Sequence, residues 1–135
     1  MLDESDSGNV IDEAWMELGC RVNLGEDAVE FFRYSGPLPT QFSDRRRHRR
    51  VHFRNRAILE YGGSRFAVYT KDLSRSGIAF LHAEQLYPGD QLRLILARGP
   101  VVPLVVRRCL RVRERCYECG GEILFTPFDA ETPVT

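Results

Sequence analysis

Residues 51–74 read VHFRNRAILEYGGSRFAVYTKDLS, and the fold depends on how this stretch is parsed. Val51, Phe53, Asn55, Ala57 and Leu59 alternate with His52, Arg54, Arg56, Ile58 and Glu60. Residues two apart share one face of a strand, so the alternation predicts a half-buried strand. Gly62, Gly63 and Ser64 then supply a turn, and residues 65–74 resume as a second strand with Phe66, Val68 and Thr70 in phase. Two strands joined by a glycine turn are the unit on which the rest is built.

The pattern continues downstream. GIAFLHAE (77–84) reads as a third strand, QLRLILAR (91–98) as a fourth after the YPGD turn, VVPLVVRRCLRVRE (101–114) as a fifth and CYECGGEILFTPF (116–128) as a sixth. Short strands with turn signals between them point to a small antiparallel barrel or sandwich, and closure into a barrel would remove the exposed edges. Upstream, Val10, Ile11, Ala14, Trp15 and Leu18 recur at helical spacing, with Asn9 or Asp12 available to the first turn. This predicts a short amphipathic helix whose Trp15 needs a surface to pack on. EDAVEFFRYS (26–35) fits either a helix or a strand, and SGPLPTQFSD (35–44) reads as a linker or an extended wrapping segment.

A chain of 135 residues with 43% hydrophobic and 28% charged residues builds one core. The N-terminus is acidic and lacks the basic and apolar regions of a secretory signal, and no apolar run reaches the ~18 residues of a spanning helix. The expectation is a cytoplasmic protein without membrane contact. A formal net charge of zero hides an asymmetry: residues 1–44 hold ten Asp/Glu against two Arg, and residues 45–135 hold nine against seventeen Arg/Lys. Lys71 is the single lysine. Arginine is the better side chain for bidentate contact with phosphate or a guanine edge.

Four cysteines in a chain without an export signal read as reduced thiols. Cys116 and Cys119 have the spacing of half a zinc site, but Cys20, Cys109 and the histidines offer no second pair at a recognisable spacing. They are expected as small buried strand residues, with no metal. His48 reads as a solvated loop residue, and His52 and His82 as strand-surface residues.

Two stretches carry chemistry. RRRHRR (45–50) concentrates positive charge directly before the first strand. In KDLSRSG (71–77), Asp72 and Ser74 project from one face while Leu73 points to the core. Gly77 permits a positive φ, or a close approach that a side chain would block. A carboxylate suits the adjacent N–H donors of a guanine Watson–Crick edge, and arginines suit phosphates.

Together these stretches resemble the paired motifs of the PilZ domain family, bacterial receptors for cyclic di-GMP. The family pattern is RxxxR just before the first barrel strand and [D/N]xSxxG between the second and third. Arg46 and Arg50 match the first, and Asp72, Ser74 and Gly77 the second. The resemblance implies an all-β, six-stranded antiparallel barrel over residues 45–128, preceded by an acidic extension (1–44) with a short helix and followed by a tail (129–135). It implies ligand contacts from Arg46, Arg50, Asp72, Ser74 and Gly77, with Arg45 as a third guanidinium favouring a stacked ligand dimer. It further implies a binding switch rather than an enzyme, with no cofactor beyond cyclic di-GMP, whose changed surface is read by a downstream protein.

Many members of the family end in a helix after the barrel, for which DAETPVT (129–135) is too short and too Pro-rich; the N-terminal helix, through Trp15 and Leu18, is expected to cover that barrel end. The acidic segment is a candidate to lie over the arginine cluster. The competing readings are an Arg-rich barrel that holds nucleic acid through Arg45–Arg50 and Arg107, Arg108, Arg111 and Arg113, and a PilZ-like module that binds only protein. Inward-phased Phe66 and Phe80 speak against the first, because base-stacking barrels display aromatics outward.

Overall fold

The computed structural model describes residues 10–25, 31–32, 36–37 and 50–124, with the backbone alone at 36, 37 and 50. In chain order the elements are helix α1 (Asp12–Leu18), a two-residue strand β1 (Gly36–Pro37), β2 (Arg50–Tyr61), β3 (Ser64–Ser74), β4 (Gly77–His82), β5 (Gln91–Leu96), β6 (Val101–Arg113) and β7 (Cys116–Ile123). Strands β2 to β7 are the six expected from the alternation. They pair antiparallel in the order β2-β3-β4-β7-β6-β5, and β5 returns to β2 through Ala57–Leu96 to Glu60–Arg93, closing the barrel. The proline-containing segment before the arginine cluster contributes β1, which pairs with β2 at His52 and Val51.

Strand alternation fills the interior. Ala57 and Leu59, Ile78 and Phe80, Leu92 and Leu94, and Leu104 and Val106 all point into one cluster, joined by Val68, Leu86 and Cys119. Residues of the opposite phase form the outer face of the barrel, and α1 lies against part of it. There Ile11 and Trp15 cover Ile58 and Ala67. The Trp15 indole N–H donates to the Val68 carbonyl at 3.0 Å, and its ring lies 5.4 Å from that of Tyr69. Arg56 stacks 4.6 Å over the indole while its Nη1 donates to Asp12 Oδ1 at 3.1 Å. Asp12 thus serves Arg56; the helix N-cap is Ile11 and makes no side-chain cap bond. The helix sits on the outside of the β2–β3 wall rather than over a barrel end, and Leu18, expected to help, remains exposed.

His82 departs from its expected place on the surface. Every residue of β4 from Ile78 to His82 is buried, and the imidazole packs edge-on against Phe66 at 5.0 Å. Burial pushes its pKa from the ordinary 6.5 down to about 4. The unfolded chain therefore binds a proton that the native chain refuses, so stability from this group is complete above the unfolded pKa and falls as pH drops toward 4. Between pH 6.5 and pH 5 His82 is expected to cost the fold about 2 kcal/mol, at about 1.4 kcal/mol per pH unit. Urea unfolding of the parent and His82→Leu across this range checks it: the difference between the two curves grows on acidification, whereas parallel curves would contradict the expectation.

Cys116 and Cys119 are buried as expected of small strand residues, and among the described residues no group of three or more His, Cys, Asp or Glu is placed to hold a metal. Among these residues, too, no helix is long and apolar enough to cross a membrane.

Candidate functional site

The β2–β3 hairpin turns at Gly62 and Gly63, whose φ values of 62° and 82° are both positive. Such a two-residue turn needs positive φ at both centres and matches the twist of the strands it joins. From it the register runs evenly from Tyr61–Ser64 to Asn55–Thr70. Beyond that point β2 carries one extra residue, and the pairs become His52–Asp72, Val51–Leu73 and Arg50–Ser74. An even count would have set Arg50 against Arg75. The bulge instead sets the last residue of the arginine stretch opposite the serine of the second motif.

Thr70 holds this bulge open. Fully buried, it accepts from the Asn55 N–H at 3.1 Å and donates through the same Oγ1 to the Phe53 carbonyl. Backbone groups that an irregular strand would leave without partners are thereby satisfied, and the strand bends and twists just before the motif residues. The β3–β4 pairing has its own register shift between Thr70 and Asp72.

At the far end of the hairpin the Asp72 carboxylate lies almost buried, its Oδ1 3.5 Å from His52 Nδ1. Arg54 organises the surroundings: Nη2 donates to His52 Nδ1 at 3.1 Å, Nε to the Lys71 carbonyl at 3.2 Å and Nη1 to the Phe31 carbonyl at 3.1 Å. Because guanidinium has only donors, His52 Nδ1 is the acceptor in that contact. The guanidinium also stacks 4.5 Å from the centre of the Phe31 ring, and Lys71 pairs with Glu118 at 3.0 Å. His52, read from the sequence as a strand-surface residue, belongs to this cluster, as does Arg54. The signal that finds them is register: once the bulge is placed, His52 falls opposite Asp72.

Ser74 spends its hydroxyl on the β3–β4 turn. Its Oγ accepts from the Gly77 N–H at 3.1 Å and the Ser76 N–H at 3.3 Å, which leaves Arg75 exposed at the tip. Gly77 is a glycine for packing rather than for a positive φ. A Cβ there would stand 2.8 Å from the Gly121 carbonyl of β7, so what approaches closely is a neighbouring strand. Gly77→Ala is expected to push β4 from β7 and destabilise the barrel by about 1–3 kcal/mol, as overpacking generally does. A denaturation midpoint equal to that of the parent would contradict this contact.

Arg45 and Arg46 lie outside the described residues, as does most of the segment 26–49; Arg50 is placed through its backbone. Phe80 is fully buried and Phe66 packs on the core, in the inward phase expected of them. On β6, Arg107, Arg108 and Arg111 are exposed, while Arg113 turns back to donate to the Asn23 carbonyl at 2.9 Å.

Residues 44–132 match the PilZ domain. Among solved structures the chain is similar to the Bacillus subtilis inhibitor of motility MotI/DgrA, with 21% identity and a TM-score of 0.48 over 60% of this chain and 43% of that one. It is also similar to MrkH of K. pneumonia in its complex with c-di-GMP, with 16% identity and a TM-score of 0.50 over 73% of this chain and 58% of that one. The latter likeness is one of fold, and the chain spans less than two thirds of either protein. A comparison with curated proteins finds no match.

Proposed function

This chain belongs to the PilZ domain family, and on that premise we propose that it is a receptor for cyclic di-GMP, bound where the arginine stretch meets the β3–β4 turn. The observation that carries the proposal is the bulged register, which sets Arg50 against Ser74 and His52 against Asp72. Arg50, the last residue of the first motif, and the second motif thereby share one end of one hairpin. MrkH, of similar fold, is a complex with the same dinucleotide.

Residues 45–128 form the receptor domain in this reading, residues 1–44 an acidic extension and residues 129–135 a tail. Arg46 and Arg50 hold phosphates and a guanine face, Asp72 accepts from guanine N–H donors, and Ser74 and Gly77 fix the turn that lines the other side. Each charge-assisted contact contributes roughly 1.5–3 kcal/mol. Several together reach the roughly 8 kcal/mol of micromolar binding after the cost of ordering the arginine stretch. Arg45 adds a third guanidinium and favours a stacked ligand dimer. The ligand-bound surface is then read by a downstream protein, with binding rather than catalysis as the output.

Calorimetric titration with cyclic di-GMP, GTP and a short single-stranded DNA at low and moderate salt tests the proposal. Selective binding of cyclic di-GMP at micromolar affinity or better is expected, with a lower stoichiometry for Arg45→Ala. Absence of heat with cyclic di-GMP, or DNA binding that collapses with salt, would replace the receptor by a polyanion binder using the exposed arginines of β6.

A further inference from the structure

Cys109 of β6 and Cys119 of β7 stand directly opposite one another in the antiparallel register, and their sulfurs are 3.4 Å apart. Both face the barrel interior, Cys119 as a fully buried member of the core and Cys109 half-buried against it. The other two cysteines are engaged elsewhere: Cys116 accepts a contact from Arg113 Nη1 at 3.5 Å, and Cys20 lies on the outer wall with Tyr69 and Trp15. A disulfide bond is about 2.05 Å long, so Cys109 and Cys119 need to approach by only roughly 1.4 Å more, within reach of side-chain rotation across a strand pair already in register.

We propose that Cys109 and Cys119 form an oxidisable thiol pair, converted by peroxide into a disulfide that ties β6 to β7. Cys109 is the residue that meets the oxidant, because it retains solvent exposure and its sulfur accepts the Leu86 N–H at 3.4 Å. Its sulfur attacks one peroxide oxygen, the O–O bond breaks, and the departing hydroxide takes the thiol proton as water, leaving a sulfenic acid. The Cys119 sulfur then attacks that of Cys109, the S–O bond breaks, and the departing hydroxide takes the Cys119 proton as a second water. Two thiols lose two electrons and two protons, and one peroxide becomes two waters. Burial pushes the Cys119 thiol well up, so it stays protonated and unreactive until a sulfenic acid forms beside it. Cys119 also pairs with Phe80 of β4 and lies two residues before Gly121, whose carbonyl abuts Gly77. The bond would brace the strand behind the motif glycine. This inference stands independently of the ligand assigned above.

The test uses the full native chain, treated with dilute hydrogen peroxide, alkylated and digested with trypsin. Cleavage after Arg108, Arg111 and Arg115 releases Cys109 in the tripeptide CLR and Cys119 in the peptide beginning at Cys116. The expected result is an intact mass lower by two hydrogens and a CLR cross-link that a thiol reductant releases. The cross-link persists in Cys116→Ser, while Cys119→Ser stops at a sulfenic acid on Cys109 that dimedone traps. Intact thiols under the same dose, a cross-link that uses Cys20 or Cys116, or a bond between two chains would overturn the proposal.

Discussion

Arg50→Ala is expected to bind cyclic di-GMP ten- to a hundredfold more weakly than the parent chain while unfolding at nearly the same denaturant concentration. The first half follows from deleting a charge-assisted contact of roughly 1.5–3 kcal/mol to a phosphate or base. The second follows from position, since Arg50 is the first residue of β2, outside the run paired with β5. Asp72→Ala should lose a comparable factor, because no other carboxylate follows in the β3–β4 turn to accept from the guanine edge. Calorimetry and urea unfolding on the same preparations separate the effects. Unchanged affinity in both variants would move the ligand away from this end of the hairpin.

The largest loss of stability among single changes in the N-terminal segment is expected from Trp15→Ala. The indole is the largest buried side chain of α1, covers Ile58 and Ala67, and donates to the Val68 carbonyl. Removing a buried aromatic of this size typically costs about 3–5 kcal/mol. A seven-residue helix with no side-chain cap has little stability of its own, so the helix signal should fall together with the shift in midpoint. Trp15→Phe should recover most of the loss but not the indole hydrogen bond, a difference of about 1 kcal/mol. Circular dichroism through a urea titration reads both. An alanine variant that unfolds with the parent would show that the barrel wall does not need the helix.

The barrel was legible because alternation is a local signal. Phe80, Leu94 and Leu104 are buried where a period of two puts them, and the glycine pair that ends the first strand forms the turn. The bulge was not legible. Its cause is a single hydroxyl, Thr70, reaching across to Phe53 and Asn55, and nothing in the alternation of β2 distinguishes a bulged strand from a regular one. That one extra residue decides whether Arg50 meets Ser74 or Arg75, and the alternation of the two stretches does not show which. His82 was misplaced for a related reason: β4 is covered on both faces, and a strand buried on both sides loses the contrast that alternation depends on. Ile58 sits in the outward phase and is buried only because α1 lands on it, a tertiary contact that neither segment announces alone.

Amide chemical-shift mapping of the full chain during titration with cyclic di-GMP tests the central claim most directly, since it reports at once whether the dinucleotide binds and where. Saturable shifts are expected, concentrated at Arg50, Val51 and His52 on β2 and from Asp72 to Gly77 on β3 and its turn, with Leu110 and Val112 on the exposed face of β6 unmoved. Shifts centred on Arg107 to Val112, or no shifts at ligand concentrations well above micromolar, would contradict it.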